Sequence, residues 1–199
     1  MKVTKYYHRS KEFFSKLEKI LLTFKDDLSH YFTNAELFSI CKSNKRIILF
    51  LLEEKLITPG NIQIPNLNYK YRNYYQYFSP EFDKNQNNDN DQFFKNRKIG
   101  ENDDYVSQLI REDQVQEFIA YATKYTLKLD KTIEHSIFET NNYLINKSPT
   151  LIEYATFFGS IQILRYLSMN NVNLTPSLWN YAVHSNSPEV IHFLEENEV

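Results

Sequence analysis

The residues of this 199-residue chain that could do chemistry are few and scattered. Its five histidines are His8, His30, His135, His184 and His192. No two stand at the i, i+4 spacing that presents two imidazoles on one helical face, and a single cysteine, Cys41, cannot build a cysteine zinc cluster. Cys41 falls on an apolar stripe with Leu37 and Ile40, where a thiol is expected to be buried and inert. The carboxylate pairs Glu112/Asp113 and Glu195/Glu196 are adjacent in sequence and read as solvated, whereas general acid–base work needs a carboxyl held in an apolar pocket. No serine sits in Gly-x-Ser-x-Gly. The three glycines, Gly60, Gly100 and Gly159, are too far apart for a phosphate-cradling loop. The expectation is a non-enzymatic chain with no catalytic residues, no metal and no cofactor.

One stretch points to a different chemistry. "NYKYRNYYQYFSP", residues 68–80, interleaves five tyrosines and a phenylalanine with Lys70 and Arg72. Rings that stack on bases beside cations that track phosphates make a single-stranded nucleic-acid surface. Two cations are a small electrostatic footprint, however. Tyr71, Tyr74, Tyr75, Phe78 and Phe82 also recur at helical spacing, the pattern of a face seeking a core. The stretch therefore reads as a packing element, with Pro80 ending or kinking its helix.

Charge is unevenly distributed. Residues 1–99 carry 17 Lys and Arg against 11 Asp and Glu, and residues 100–199 carry 6 against 14. The basic half supplies a second functional reading, binding of nucleic acid or an anionic surface. A lone cysteine, no apolar leader and a longest aliphatic run of "IILFLL" point to a soluble chain in the cytoplasm.

Elements that could position a surface follow from periodicity. Residues 8–32 show an amphipathic helical pattern, Phe13/Phe14, Leu17, Ile20/Leu21, Phe24 and Leu28, with lysines between. Thr33 followed by Glu36 is a capping box, and Asn44 is expected to take the left-handed turn that ends this helix before a second apolar run, 47–52. These elements form an N-terminal helical module, 1–58. An aromatic and Asn-rich insertion spans 59–101, and its polar part, 83–91, reads as a loop. Helical period returns over 103–125, followed by a polar stretch, 126–132.

The decisive feature is a repeat. "SPTLIEYATFFGSIQILRYLSMNNV" aligns with "TPSLWNYAVHSNSPEVIHFLEENEV" at an offset of 27 residues. Identities are Pro149/Pro176, Leu151/Leu178, Tyr154/Tyr181, Ala155/Ala182, Ser160/Ser187, Leu167/Leu194, Asn170/Asn197 and Val172/Val199. Gly159 pairs with Asn186, the residue types that best tolerate positive φ at a helix end. A helix–turn–helix unit repeated at such a period must bury its apolar face on neighbours, which predicts a solenoid of units at about 103–130, 148–174 and 175–199. Because the last unit has no polar cap after it, an exposed apolar strip is expected at Val190, Ile191 and Leu194.

"TLIEYATFFGSIQILRYLSMNNVNL" resembles an ankyrin repeat, with Thr150, Ala155, Gly159, Ile163, Leu164 and Leu167 at the corresponding places. Residues 33–56 resemble the same unit with one residue deleted in the turn. Together with "RKIGENDDYVSQLIREDQVQEFI" and "SIFETNNYLI", the chain resembles divergent ankyrin-repeat proteins of the family expanded in trichomonad protists. Those proteins carry an N-terminal helical region of unassigned function. The resemblance departs at the hairpin, where Asn170-Asn171-Val172 replaces Gly-Ala-Asp. It implies an all-α, ankyrin-like solenoid with trimmed hairpins, acting as a protein–protein interaction scaffold. It places the contacts on hairpin tips and the inner helix face: Asn171 and Asn173 at one tip, Lys128 and Asp130 at another. Trp179, the lone tryptophan, is a candidate anchor. The implied partner is a protein, with nucleic acid set behind it. The C-terminal face is free to pack on further repeats or another chain.

Overall fold

The computed structural model describes residues 11–62, 74–82, 91–145 and 147–199. Tyr71, Lys70, Arg72, His8 and loop residues 83–90 lie outside them. Every regular element among the described residues is a helix, so the fold is all-α. The chain divides into two compact units, Met1–Glu101 with Ser136–Ile145, and Asn102–His135 with Asn146–Val199. The segment Ser136–Ile145, which lies between the expected repeat units 103–130 and 148–174, belongs with the first unit.

In the first unit the pattern over 8–32 becomes two helices, α1 (Lys11–Thr23) and α2 (Lys25–Tyr31). Backbone bonds run across the junction, and at it the Thr23 hydroxyl donates back to the Lys19 carbonyl at 2.9 Å, a bond that bends helices. Helix α3 (Asn34–Cys41) starts at the capping box: Glu36 N–H donates to Thr33 Oγ1 at 3.3 Å and Thr33 N–H to Glu36 Oε2 at 2.8 Å. Its buried stripe is Leu37, Phe38 and Cys41, and Ile40 is exposed, which corrects the expected stripe.

Asn44 does not take a left-handed turn. It is extended (φ −132°, ψ 108°) and caps α4 (Lys45–Glu53), accepting from Ile47 N–H at 3.1 Å. The capping positions Thr33 and Asn44 lie eleven residues apart, against ten for Thr150 and Ser160, so this turn is one residue longer, not shorter. The extra residue lets the chain reverse without positive φ. Residues 74–77 are helical and lead into α5 (Ser79–Phe82), and α6 (Asp91–Ile99) follows, beginning where the sequence predicted loop. Tyr77 and Phe78 are fully buried in the core with Phe14, Ile47, Ile48 and Leu51. Tyr74 is half-buried, whereas Tyr75 is exposed and stacks on Phe82 at 5.4 Å. For the described part of the stretch, residues 74–80, the packing reading holds, but its centre is Tyr77, outside the expected stripe.

The second unit contains three helix pairs: α7 (Tyr105–Arg111) with α8 (Val115–Lys124), α10 (Leu151–Phe158) with α11 (Ile161–Met169), and α12 (Leu178–Ser185) with α13 (Pro188–Glu196). Short α9 (Asn142–Ile145) lies in the segment of the first unit. Helix α10 packs against α7 on one side and α12 on the other, and α8 packs against α11. Within each pair one left-handed residue reverses the chain: Asp113 (φ 52°), Gly159 (φ 71°) and Asn186 (φ 50°). After each second helix another follows: Thr126, Asn171 and Glu198. The 27-residue offset is reproduced in the bonds that close the second helices, though not in the caps that open the helices. Asn170 and Asn197 each donate to the carbonyl four residues back, at 2.8 and 2.7 Å, and Val172 and Val199 N–H donate to the Leu167 and Leu194 carbonyls, both at 3.1 Å.

Neighbouring pairs are joined by side chains. Asp113, at the first pair's turn, accepts from Gln162 N–H (3.1 Å) and Ile163 N–H (3.0 Å), so it caps α11 of the next pair. The Ser160 hydroxyl, at the N-cap position of α11, donates instead to the Ile110 carbonyl. Arg111 donates to the Tyr154 hydroxyl at 3.1 Å, and the Ser177 hydroxyl to Glu153 at 2.9 Å. Asp113 thus has two duties, a left-handed backbone and a cap, and substitutions separate them. Asp113→Gly removes the cap alone and is expected to lower stability by about 1 kcal/mol. Asp113→Ala adds left-handed strain of about 1 kcal/mol more. Urea midpoints ordered wild type, Gly, Ala confirm this, and equal midpoints for Gly and Ala refute the strain.

Candidate functional site

The most concentrated set of ionisable groups lies inside the first unit. Lys45, Arg97 and Glu139 are all buried, beside Tyr77, Asn44, Thr140 and Asn141. Lys45 follows the N-cap of α4, and its ammonium donates to the Ile137 carbonyl and stands 4.8 Å from the centre of the Tyr77 ring. Arg97, near the end of α6, forms a two-bond pair with Glu81 at 3.1 and 2.6 Å, and lies over the rings of Tyr77, Phe93 and Phe94. The Tyr77 hydroxyl donates to the Arg97 carbonyl at 2.9 Å. Burial, partly offset by Glu139, pulls the Lys45 amine down from 10.5 to about 8. Burial pushes the Tyr77 phenol well above its ordinary range, with the Arg97 charge opposing it.

A lysine poised near neutrality beside a phenol and a carboxylate has the composition of a proton-transfer site. Apart from the buried Arg97 Nε, which has no hydrogen-bond partner among the described residues, however, the polar side-chain atoms of Lys45, Tyr77 and Arg97 are engaged in holding the chain together. Lys45 pins the segment 136–145 at Ile137, and Thr140 pins it at Gly100, where the hydroxyl and the amide both donate to the Gly100 carbonyl at 2.8 and 3.1 Å. Gly100 is left-handed (φ 71°), and a Cβ there would stand 3.1 Å from the Thr140 hydroxyl. Phe138 closes edge-on against Phe93 at 5.3 Å. Sequence reasoning missed this cluster. Lys45 resembles any solvated helix-start lysine, and its partners Ile137 and Glu139 lie some ninety residues on.

The residues that the sequence nominated for partner binding all lie in the second unit. Lys128 and Asp130 are exposed after α8, and Asn171 and Asn173 are exposed after α11. Asn171 also serves as the left-handed residue that closes α11. Trp179 is half-buried on α12, and its indole N–H donates to the Val199 carbonyl at 2.6 Å. The expected exposed strip is absent: Val190 and Leu194 are fully buried and Ile191 is half-buried, because α12 covers this face of α13.

The remaining chemistry is distributed. Burial raises the Cys41 thiol to about 11, which removes the thiolate at neutral pH. His135 meets the Ser148 hydroxyl at 2.9 Å and His192 meets Glu195 at 3.2 Å, both exposed. His184 lies 5.3 Å from the Phe157 ring, and burial together with Lys147 holds its pKa below the usual value. Among the described residues no group of His, Cys, Asp and Glu could hold a metal ion, and no helix is long and apolar enough to cross a membrane. Compared with models of protein families, with curated proteins and with solved structures, the chain matches none.

The Lys45 amine makes a signed prediction. Its folded pKa lies below its unfolded one, so the unfolded state binds more protons between about 8 and 10.5. The penalty of burying the charge is full below about 8 and is relieved as pH rises above it. Lys45→Met keeps the aliphatic stem without the charge, and the difference from wild type cancels the opposing ionisation of Cys41. Wild-type stability relative to Lys45→Met is expected to rise from pH 8 to about pH 10, by roughly 3 kcal/mol at most. A difference that is flat across this range in urea titrations refutes the burial of a charged amine.

Proposed function

We propose that the second unit is a short ankyrin-like solenoid and that the protein is a non-enzymatic, cytoplasmic protein-interaction scaffold. The observation that carries this reading is the recurrence of one helix-pair closure along a row in which α10 is packed between α7 and α12. Stacked pairs of this kind hold their form through neighbour contacts and leave surface positions to vary with the partner. The second unit also leaves large apolar side chains in water: Met169 is 82% exposed on α11, and Val183 is 73% exposed on α12. Val183 belongs to a first helix, and Asn171, Asn173, Lys128 and Asp130 to the tips. These five form the proposed contact set, with Trp179 supporting α12 from behind.

The alternative is nucleic-acid binding through the basic N-terminal half. Among the described residues several cations of the first unit stand in ion pairs, Lys25 with Glu54, Arg46 with Glu18, Arg97 with Glu81 and Lys98 with Glu53, and cations so paired are less available to phosphates.

A photo-crosslinking residue at Val183, Asn173 or Lys128, in cells that express the chain, tests the proposal. Capture of one discrete protein from at least one of these positions, and not from Ser15 on α1, is the expected result. Crosslinks no stronger than at Ser15 overturn it. Binding to an oligonucleotide that falls steeply with salt favours the alternative, and a flat salt response removes it.

A further inference from the structure

Among the described residues, half of the large exposed apolar side chains fall within residues 20–40: Ile20, Leu22, Phe24, Tyr31, Phe32 and Ile40. The hydrogen bonds Phe24 N–H to Ile20 O (3.1 Å) and Leu28 N–H to Phe24 O (2.8 Å) carry α1 into α2 as one bent helix. On that helix Phe14 is buried, and Leu17, Leu21 and Leu28 pack against the core. Beside this stripe, at i, i+4 and i+11, run Ile20, Phe24 and Tyr31, which are 54%, 52% and 73% exposed. The apolar face is therefore wider than the core that covers it.

What flanks the exposed row identifies its occupant. Lys16 stands one turn before Ile20, and Asp27 one turn before Tyr31, both exposed on the same side of the helix. The row thus reads cation, apolar, apolar, anion, tyrosine. A twofold axis placed between Leu21 and Leu22 maps position 16 onto 27 and brings Ile20 beside the Thr23–Phe24 step. Two copies packed antiparallel then set Lys16 of each against Asp27 of the other, around a centre of Ile20 and Phe24. A twofold contact requires such self-complementarity. An anionic membrane is a poorer match for this row, which carries the anion Asp27 as well as the cation Lys16.

We infer that the α1–α2 face is a homodimer interface in which two copies pair antiparallel through Ile20 and Phe24, with Lys16 and Asp27 fixing the register. The inference is independent of the scaffold reading, which concerns the second unit. A helix pair with a few large contacts is a small interface, so the expected dissociation constant is on the order of 10 µM.

Sedimentation velocity of the full chain from about 1 to 200 µM tests it. Wild type is expected to shift from monomer to dimer across this range, and Ile20→Ser/Phe24→Ser to remain monomeric with unchanged helix content. Lys16→Glu and Asp27→Lys each place like charges opposite one another at two symmetric positions, and each is expected to weaken the dimer roughly tenfold. The double variant Lys16→Glu/Asp27→Lys exchanges the two charges and restores the pairing. Rescue by the double variant is an outcome that a merely structural role for either residue does not produce. The inference fails if wild type stays monomeric at the highest concentration, or if the double variant is no tighter than the singles. It also fails if the chain floats as a monomer with phosphatidylserine vesicles.

Discussion

A single left-handed residue after the second helix of each pair sets the geometry on which the rest of the second unit depends. At Thr126, Asn171 and Glu198 the backbone turns, and the next amide bonds back to a carbonyl five residues earlier. An apolar residue, Leu127, Val172 or Val199, returns onto the helix it has just left. The first unit closes α4 the same way, with Lys55 left-handed and Leu56 N–H bonded to the Leu51 carbonyl at 2.9 Å. None of these four positions is glycine, so each closure costs about 1 kcal/mol that glycine would avoid. The turn is held because its orphan carbonyls are satisfied and its apolar residue is at least half-buried, fully so at Leu56.

The two units fill their interiors differently. In the second, polar side chains work at the joints. Asp113, Ser160 and Ser177 each satisfy a backbone or carboxyl group of a neighbouring pair, and the spaces between are Leu, Ile, Val and aromatic. In the first, charges enter the core itself. A buried Arg97–Glu81 pair repays its desolvation only with good geometry and further contacts, and here it has two hydrogen bonds and aromatic rings around the guanidinium. The segment Ser136–Ile145 docks on other groups of the same core, with Ile137 on Lys45, Phe138 on Phe93 and Thr140 on Gly100.

The parts of the fold legible in the sequence are those decided within a few residues. The Thr33 capping box and positive φ at Gly159 and Asn186 follow from residue types that act locally, whereas the helix starts expected at Ser148-Pro149 and Thr175-Pro176, a capping hydroxyl before proline, fall two residues later, at N-cap positions Thr150 and Ser177. The errors arise where distant partners decide. Asn44 looked like a helix end because asparagine favours the left-handed region, but the extra residue in its turn made it a cap for the next helix. Asp113 looked like a solvated acid, and its two bonds go to amides about fifty residues away. Tyr77 was passed over because the i, i+3, i+4 count began at Tyr71 and so selected the neighbouring face. The return of 136–145 to the first unit left no periodic trace, since its anchors are one lysine, one phenylalanine and one threonine.

The candidate contact surface was legible only through the resemblance that suggested where to look, and the structure sorts its residues by their other duties. Asn171 must hold a left-handed turn and Trp179 holds the Val199 carbonyl, so changes at either disturb packing as well as surface. Asn173, Lys128 and Asp130 are exposed and stand outside the turn closures, and Val183 is exposed on a helix whose buried face is supplied by Leu178, Tyr181 and Ala182. Side chains that the fold does not need are the ones a binding partner can select. On that ground a partner of the kind proposed for the second unit is expected to read Asn173, Lys128, Asp130 and Val183 most directly, whereas Asn171 and Trp179 have a structural duty as well.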